Sequence, residues 1–493
     1  MGIIIKQSIK GSIWSYLGVI IGFVTTTYLY TEYLTPDVVG LFGLLIAYST
    51  LFGQISLLGL PGITARLFPL FRDKKNSHNG FLFLSSMFFI LGFLLFLTIY
   101  FIFSPYLSET NLEKSRLFSE YIFLLIPLTF FSMIFVLLDT YNKVLYDAVF
   151  GTFLQEFLQR SLIFTFALLF AVKLISLNQL IIYFAASICV KGLVMIVFLW
   201  YKKDLNFRPQ INFINRSLRR EIFDVALFSL IGGLGSMLVF NIDKIVINQI
   251  LDLSNTGVYT IAFYFGSLVV IPSRPLLKIS GTLIADAWAV NNLKKINEIY
   301  RKSCLNQFIV GGFLFIGIWM NIDNILIILG DDYYQSKWVI FFIGLGYLFD
   351  MMTGANAQII GYSKYYRITL VFIVVLILTV LSLLYFLIPI WGITGAAIAI
   401  ATALLLNNSM RYIFLLHKYK MQPFNYKHII VAFFFTGIYF LIDLIPQQYF
   451  IIDIVIRGAS YTLISALFFI LFPISEELSA IFSHFFRYFE KNV

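Results

Sequence analysis

Leu34-Thr-Pro-Asp-Val-Val-Gly40-Leu-Phe42 returns 217 residues later as Leu251-Asp-Leu-Ser-Asn-Thr-Gly257-Val-Tyr259. The copies share a leucine, a glycine, the aliphatic residue after it and an aromatic, all in register. The pattern is short, and its weight comes from where it falls. Each copy joins one long apolar run to the next, and six such runs separate the copies. An even number of membrane crossings between copies makes the two halves parallel, related by an axis along the membrane normal. The predicted fold class is therefore an all-α polytopic membrane protein of about fourteen transmembrane helices: two parallel six-helix repeats plus two extra C-terminal helices.

Composition agrees. The chain has 493 residues, of which 60% are hydrophobic and only 12% charged, where globular domains carry roughly 25% charged residues. Apolar stretches of roughly 20 residues, the length that crosses a bilayer, start near Gly11, Val39, Asn79, Tyr121, Ala148 and Leu177, then near Ile222, Gly257, Ser303, Lys337, Tyr365 and Ile390, and finally near Lys427 and Phe450. The first has the charged start of a signal peptide but no small-residue cleavage site, and reads as a retained span. The expected organisation is an N-lobe at 1–203 (spans one to six), a cytoplasmic linker at 204–221, a C-lobe at 222–420 (spans seven to twelve), and spans thirteen and fourteen with a cytoplasmic tail at 421–493.

Charge tests this map, because Lys and Arg concentrate in short cytoplasmic loops. With the N-terminus inside, 26 of the 35 Lys and Arg fall in inside segments, whereas outside loops hold four of them against eleven acids. Both termini are therefore expected in the cytoplasm. The net charge of +10 is topological, which removes nucleic acid as a partner. Two cysteines, Cys189 and Cys304, are too few for a disulfide framework or zinc site. There is no phosphate loop and no H-E-x-x-H; His78, His417, His428 and His484 all fall in inside loops or the tail. Catalytic residues, metal ligands and bound cofactors are not expected. The segment 285–301, with Lys294, Lys295 and Arg301, reads as an interfacial helix facing lipid headgroups.

Function must then lie among charges within the spans, which cost about 2.5–3.5 kcal/mol each at the bilayer centre and normally face a cavity. Span five carries Gln155, Glu156, Gln159 and Arg160. At about 1.5 Å per residue, Arg160 lies near the midplane, with Glu156 one turn away on the same face. Lys191 sits in span six, Asp243 and Lys244 in span seven, Asp350 in span ten and Arg457 in span fourteen. Arg274 and Asp139 lie near inner span ends. The residues 217 positions before Asp243 and Lys244 are Thr26 and Thr27, also polar in an apolar span.

The L-T-P-D-x-x-G-L-F stretch, the I-D-K-I-V-I run from Ile242 to Ile247 with G-V-Y after it, and G-D-D-Y-x-x-S from Gly330 to Ser336 resemble the bacterial polysaccharide exporter family. That family contains O-antigen and capsule repeat-unit flippases and belongs to the superfamily of multidrug antiporters and lipid II flippases. The resemblance implies translocation of an undecaprenyl-pyrophosphate-linked oligosaccharide across the bacterial inner membrane by alternating access, with membrane lipids and the polysaccharide polymerase and chain-length machinery as partners. A pyrophosphate cannot enter hydrocarbon unpaired, and arginine offers a planar fork for it. Arg160, Lys191, Lys244, Arg274 and Arg457 are the substrate-binding candidates. Glu156, Asp243 and Asp350 are the candidates for coupling to a proton or sodium gradient. A cation-coupled small-molecule or drug exporter on the same fold is the alternative. A membrane-embedded glycan polymerase would bring a long outer loop, and the longest expected here is 104–120.

Overall fold

The computed structural model describes residues 2–111, 115–477 and 479; the tail, with Arg487 and Lys491, lies outside them. The described residues are helical, with short 3-10 and π segments and no strand.

Eleven helices are long and apolar enough to cross a membrane. Two further pairs pass the same test but are bent at a break, Arg216–Gly235 with Phe240–Ile250 by 57° and Asp331–Met352 with Asn356–Tyr362 by 50°. One of the eleven, Ile368–Tyr419, has 52 residues, about 78 Å of helix against a hydrocarbon core of roughly 30 Å. It breaks at Gly392, whose φ of 56° and ψ of −138° suit glycine alone, three residues after Pro389. A Cβ placed on Gly395 would lie 2.1 Å from the Leu387 carbonyl oxygen, so the chain folds back on itself there. Counting that helix twice and each bent pair once gives fourteen crossings among the described residues.

Span one is Lys10–Tyr33, span two Pro36–Ser56, span three Ser77–Pro105, span four Arg116–Val144, span five Val149–Ala171 and span six Leu177–Tyr201. Span seven is the first bent pair, and span eight is Leu253–Val270. Span nine is Leu293–Trp319 and span ten the second bent pair. Spans eleven and twelve share Ile368–Tyr419, and Tyr426–Asp443 and Phe450–Leu471 are spans thirteen and fourteen. Their starts have local causes. Pro36 opens span two at the first helical turn, after an extended Thr35, where its missing N–H costs nothing. Ser176 and Gln179 form a capping box at span six. Asn215 caps span seven through the Leu218 N–H at 2.8 Å.

Several expected loops are helical. Leu60–Phe71 is a short helix after span two whose Phe68 and Phe71 are buried against Phe81. The expected outer loop 104–120 is mostly taken up by the helices Phe81–Asn111 and Arg116–Tyr121. The expected interfacial helix at 285–301 is corrected: a helix runs Ser273–Ala289 and ends there, and span nine starts at Leu293. Asn292 supplies the reason, because its side chain accepts the Lys295 N–H at 3.0 Å and caps a new helix.

Contacts divide the chain into two compact units, Met1–Ile261 and Ala262–Val493. Span seven and the start of span eight thus pack within the first unit, and this division is separate from the lobes expected from the repeat. In the first unit the two repeat copies touch. A Cβ on Gly40 would lie 2.1 Å from the Leu253 carbonyl oxygen, and one on Gly257 would lie 1.8 Å from that of Pro36. Each glycine presses on the carbonyl four residues before the other, so the contact is reciprocal under the 217-residue offset.

Topology is directly measurable. Cys189 and Cys304 are buried, while Asp332 and Asn212 are exposed. With the native cysteines replaced, Asp332→Cys should label with an impermeant thiol reagent in intact cells and Asn212→Cys only after lysis. Labelling of Asn212→Cys from outside would reverse the orientation.

Candidate functional site

Among the described residues, one set of charges within spans lies in the first unit, on spans four, five and six. Span five departs from α geometry where its polar residues stand: Phe153–Leu158 is a π-helix. Span one, packed against it, has a second π segment at Thr25–Leu29. Single-turn π insertions are rare and concentrate at functional sites. Gly18 allows the two spans to meet, since a Cβ there would sit 1.8 Å from the Glu156 carbonyl oxygen.

That approach places the Arg160 guanidinium. Its Nη2 donates to Glu156 Oε2 at 2.9 Å and its Nη1 to the Gly18 carbonyl at 3.1 Å. The pair is neither sealed nor fully solvated, with 28% of the Arg160 side chain and 19% of that of Glu156 exposed. Lys191 lies within electrostatic reach of Glu156 and Asp139 and stands 5.1 Å from the Phe135 ring centroid. Asp139 is buried and paired with Lys143 one turn on. Gly151 of span five makes room for it, because a Cβ there would lie 1.7 Å from Asp139 Oδ1. Three cations and two carboxylates share this region, so its formal charge is positive. Gln159 Oε1 and Ser161 Oγ, beside Arg160 in the chain, are buried without hydrogen-bond partners.

The other sequence candidates are bonded to different partners or are exposed. Asp243 and Lys244 are buried in span seven. Tyr259 Oη donates to Asp243 Oδ2 at 2.7 Å, and Lys244 Nζ donates to the Phe240 carbonyl at 3.2 Å. Of the threonines at the matching level, Thr26 donates to the Gly22 carbonyl at 2.8 Å, and Thr27 Oγ1 is buried without a partner.

In the second unit, Arg274 is exposed. Asp350 accepts from Asn408 Nδ2 at 2.9 Å, and Asn408 Oδ1 accepts from Thr353 at 3.0 Å and Asn356 at 3.1 Å. Arg411 interacts electrostatically with Asp350. Arg457 is buried; its Nε donates to Asp453 Oδ2 at 2.8 Å and its Nη2 to the Ile445 carbonyl at 2.8 Å. Asn324 Nδ2 donates to the same Asp453 oxygen at 2.6 Å. These bonds turn the fork of Arg457 towards its own helix and the end of span thirteen.

Sequence reasoning did not place Lys143 in this cluster, nor the two glycines that admit Glu156 and Asp139. Gly18 and Gly151 were visible as glycines within spans, but nothing in the sequence set them apart from the other small residues there. The π segments carried no signal.

In the first unit, a partly exposed guanidinium held by a carboxylate inside an apolar helix is a group that an anionic ligand can compete for. Bidentate binding of a phosphate through the two terminal nitrogens would displace Glu156 and the Gly18 carbonyl. Fold and site together define a polytopic helical membrane protein with a charged cluster on its membrane-spanning helices. Residues 8–284 match the polysaccharide biosynthesis protein family, and the chain belongs to that family.

Among solved structures, the lipid II flippase MurJ in an inward closed conformation aligns over 94% of this chain and 99% of its own, with TM-score 0.72 and 14% identity. An inward-facing multidrug resistance MATE family transporter of the MOP superfamily aligns over 80% and 92%, with TM-score 0.58 and 15% identity. A MOP superfamily transporter from Pyrococcus furiosus aligns over 83% and 94%, with TM-score 0.53 and 17% identity. At these identities the likeness establishes the fold. No curated protein sequence matches the chain.

Proposed function

We propose that the protein is a flippase that moves an undecaprenyl-pyrophosphate-linked oligosaccharide repeat unit from the cytoplasmic to the outer leaflet by alternating access, for synthesis of a surface polysaccharide. The observation that carries this reading is the partly exposed Arg160 in a net positive cluster on membrane-spanning helices, in a chain of the polysaccharide biosynthesis family. A diphosphate needs charge-assisted donors to leave water. Glu156 competes with it for Arg160, so protonation of Glu156, or a cation bound to it, would release the guanidinium to the cargo and couple the cycle to an ion gradient. The cell membrane with both termini cytoplasmic, and hand-over to a polymerase, belong to the same reading.

The MATE fold relatives favour a second reading, a cation-coupled exporter of small molecules. Deleting the gene separates the two. A hydrated oligosaccharide headgroup crosses hydrocarbon very slowly unaided, each unpaired polar group costing several kcal/mol. Loss of a flippase therefore strands the lipid-linked glycan on the inner leaflet. The expected result is accumulation of polyprenyl-linked oligosaccharide in lipid extracts, with surface glycan lost. Unchanged surface glycan, with no accumulated intermediate and no second flippase present, would discard this reading in favour of the exporter.

A further inference from the structure

The second unit has a cleft of about 620 Å³ formed by the start of span nine, the start of span thirteen and residues 474–477 after span fourteen. Spans nine and thirteen begin, and span fourteen ends, on one membrane face, which the charge distribution assigns to the cytoplasm. Leu305 and Ile474, both buried, contribute apolar lining.

The charges in the cleft do not cancel. Its three acids, Glu298, Glu476 and Glu477, all lie within 3.4 Å of Lys302 Nζ, and Glu298 also lies 3.9 Å from Lys295. Lys294 and Arg301 are exposed and have no ion-pair partner among the described residues. Lys427 donates to the Ile474 carbonyl at 2.7 Å, a neutral acceptor that leaves its charge uncompensated. Two helix N-termini add to this, since Asn292 and Asn425, the caps of spans nine and thirteen, both line the cleft; the positive ends of helix dipoles favour an anion. Asn297 also lines it, and its side-chain oxygen is buried without a hydrogen-bond partner. An anion in the cleft would meet the uncompensated cations and both helix N-termini.

We propose that this cleft binds the headgroup of an acidic phospholipid of the cytoplasmic leaflet, its phosphodiester held by Lys294, Arg301 and Lys427. Phosphatidylglycerol has that chemistry. A basic pocket between transmembrane helices on the cytoplasmic side is where such headgroups gain most from the protein's charge. Its residues lie in the second unit, whereas the Arg160 cluster lies in the first.

The test uses the purified full chain, delipidated in neutral detergent, with native mass spectrometry and thermal unfolding as readouts. Phosphatidylglycerol should be retained as a discrete adduct and should raise the melting temperature. Phosphatidylcholine and inorganic phosphate should do neither. Lys294→Gln, Arg301→Gln and Lys427→Gln should each weaken phosphatidylglycerol binding roughly fivefold, and the triple variant about a hundredfold. A control with Lys74→Gln, Lys75→Gln and Lys418→Gln, exposed cations outside the cleft, should bind as wild type. Wild-type binding by the triple variant overturns the proposal, as does stabilisation by inorganic phosphate to which phosphatidylglycerol adds nothing. If the triple variant fails to fold, the single variants decide on the same scale.

Discussion

If the protein is the flippase proposed above, Arg160→Ala should abolish glycan export while the protein remains inserted in the membrane. The argument rests on the two bonds of the guanidinium, to Glu156 at 2.9 Å and to Gly18 at 3.1 Å, which a diphosphate would replace with two charge-assisted bonds of about 1.5–3 kcal/mol each. Losing both corresponds to at least about a hundredfold in transport rate at limiting cargo. Arg160→Lys keeps the charge but loses the fork, and should recover part of the activity. Because Arg160→Ala also leaves the Glu156 carboxylate without its cation, the double variant Arg160→Ala/Glu156→Gln is the control: it should restore expression and melting temperature without restoring export. Glu156→Gln alone should still bind cargo but lose its response to the ion gradient. Surface glycan and lipid-linked intermediate are measured in each strain, and normal export by Arg160→Ala would reduce the pair to a device that lowers the cost of inserting span five.

Replacing either repeat glycine should be nearly as damaging, through folding. The Cβ of Gly257→Ala would fall 1.8 Å from the Pro36 carbonyl oxygen and that of Gly40→Ala 2.1 Å from that of Leu253. Both obstacles are backbone and cannot rotate away, so spans two and eight must separate. Overpacking of this kind costs about 3 kcal/mol or more. Since the contact is reciprocal, the two variants should lose similar amounts of folded protein, read by size-exclusion profile and melting temperature in detergent. Gly437→Ala is the counterpart, because nothing lies within 4 Å of the added methyl; it should be neutral or gain about 0.5–1 kcal/mol from helix propensity. Equal stability of all three variants would mean that the repeat contact is not close-packed.

The Gly40 and Gly257 pair also marks how far the sequence could be read. Their common register is the ground for expecting two parallel repeats, and the crossings followed from apolar length, because hydropathy sums over about 20 neighbouring residues and needs no partner from elsewhere in the chain. Span six was placed at Leu177 and begins there; span fourteen was placed at Phe450 and begins there. Even the break between spans eleven and twelve left a local trace in Pro389 and Gly392. Ion pairs one helical turn apart were equally visible: Glu156 with Arg160 follows from helix geometry alone.

The rest depended on which distant groups come together. Asp453 stands one turn from Arg457, but its second donor, Asn324, comes from 129 residues away. Asp350 was visible as a charge in a span, yet Asn408, Thr353 and Asn356, which link it into a network, were not. Gly18 and Glu156 meet across spans one and five, and the π turns that shape the site come from hydrogen-bond register rather than composition. By itself the sequence determined the membrane class, the crossings, the repeat and the charged residues that had to justify their place in hydrocarbon, since each follows from the cost of transferring a local segment out of water. Only the tertiary structure decided which charges are satisfied by neighbours and which remain partly exposed, because a polar group in a low-dielectric interior takes its character from partners that the linear order of the chain does not specify.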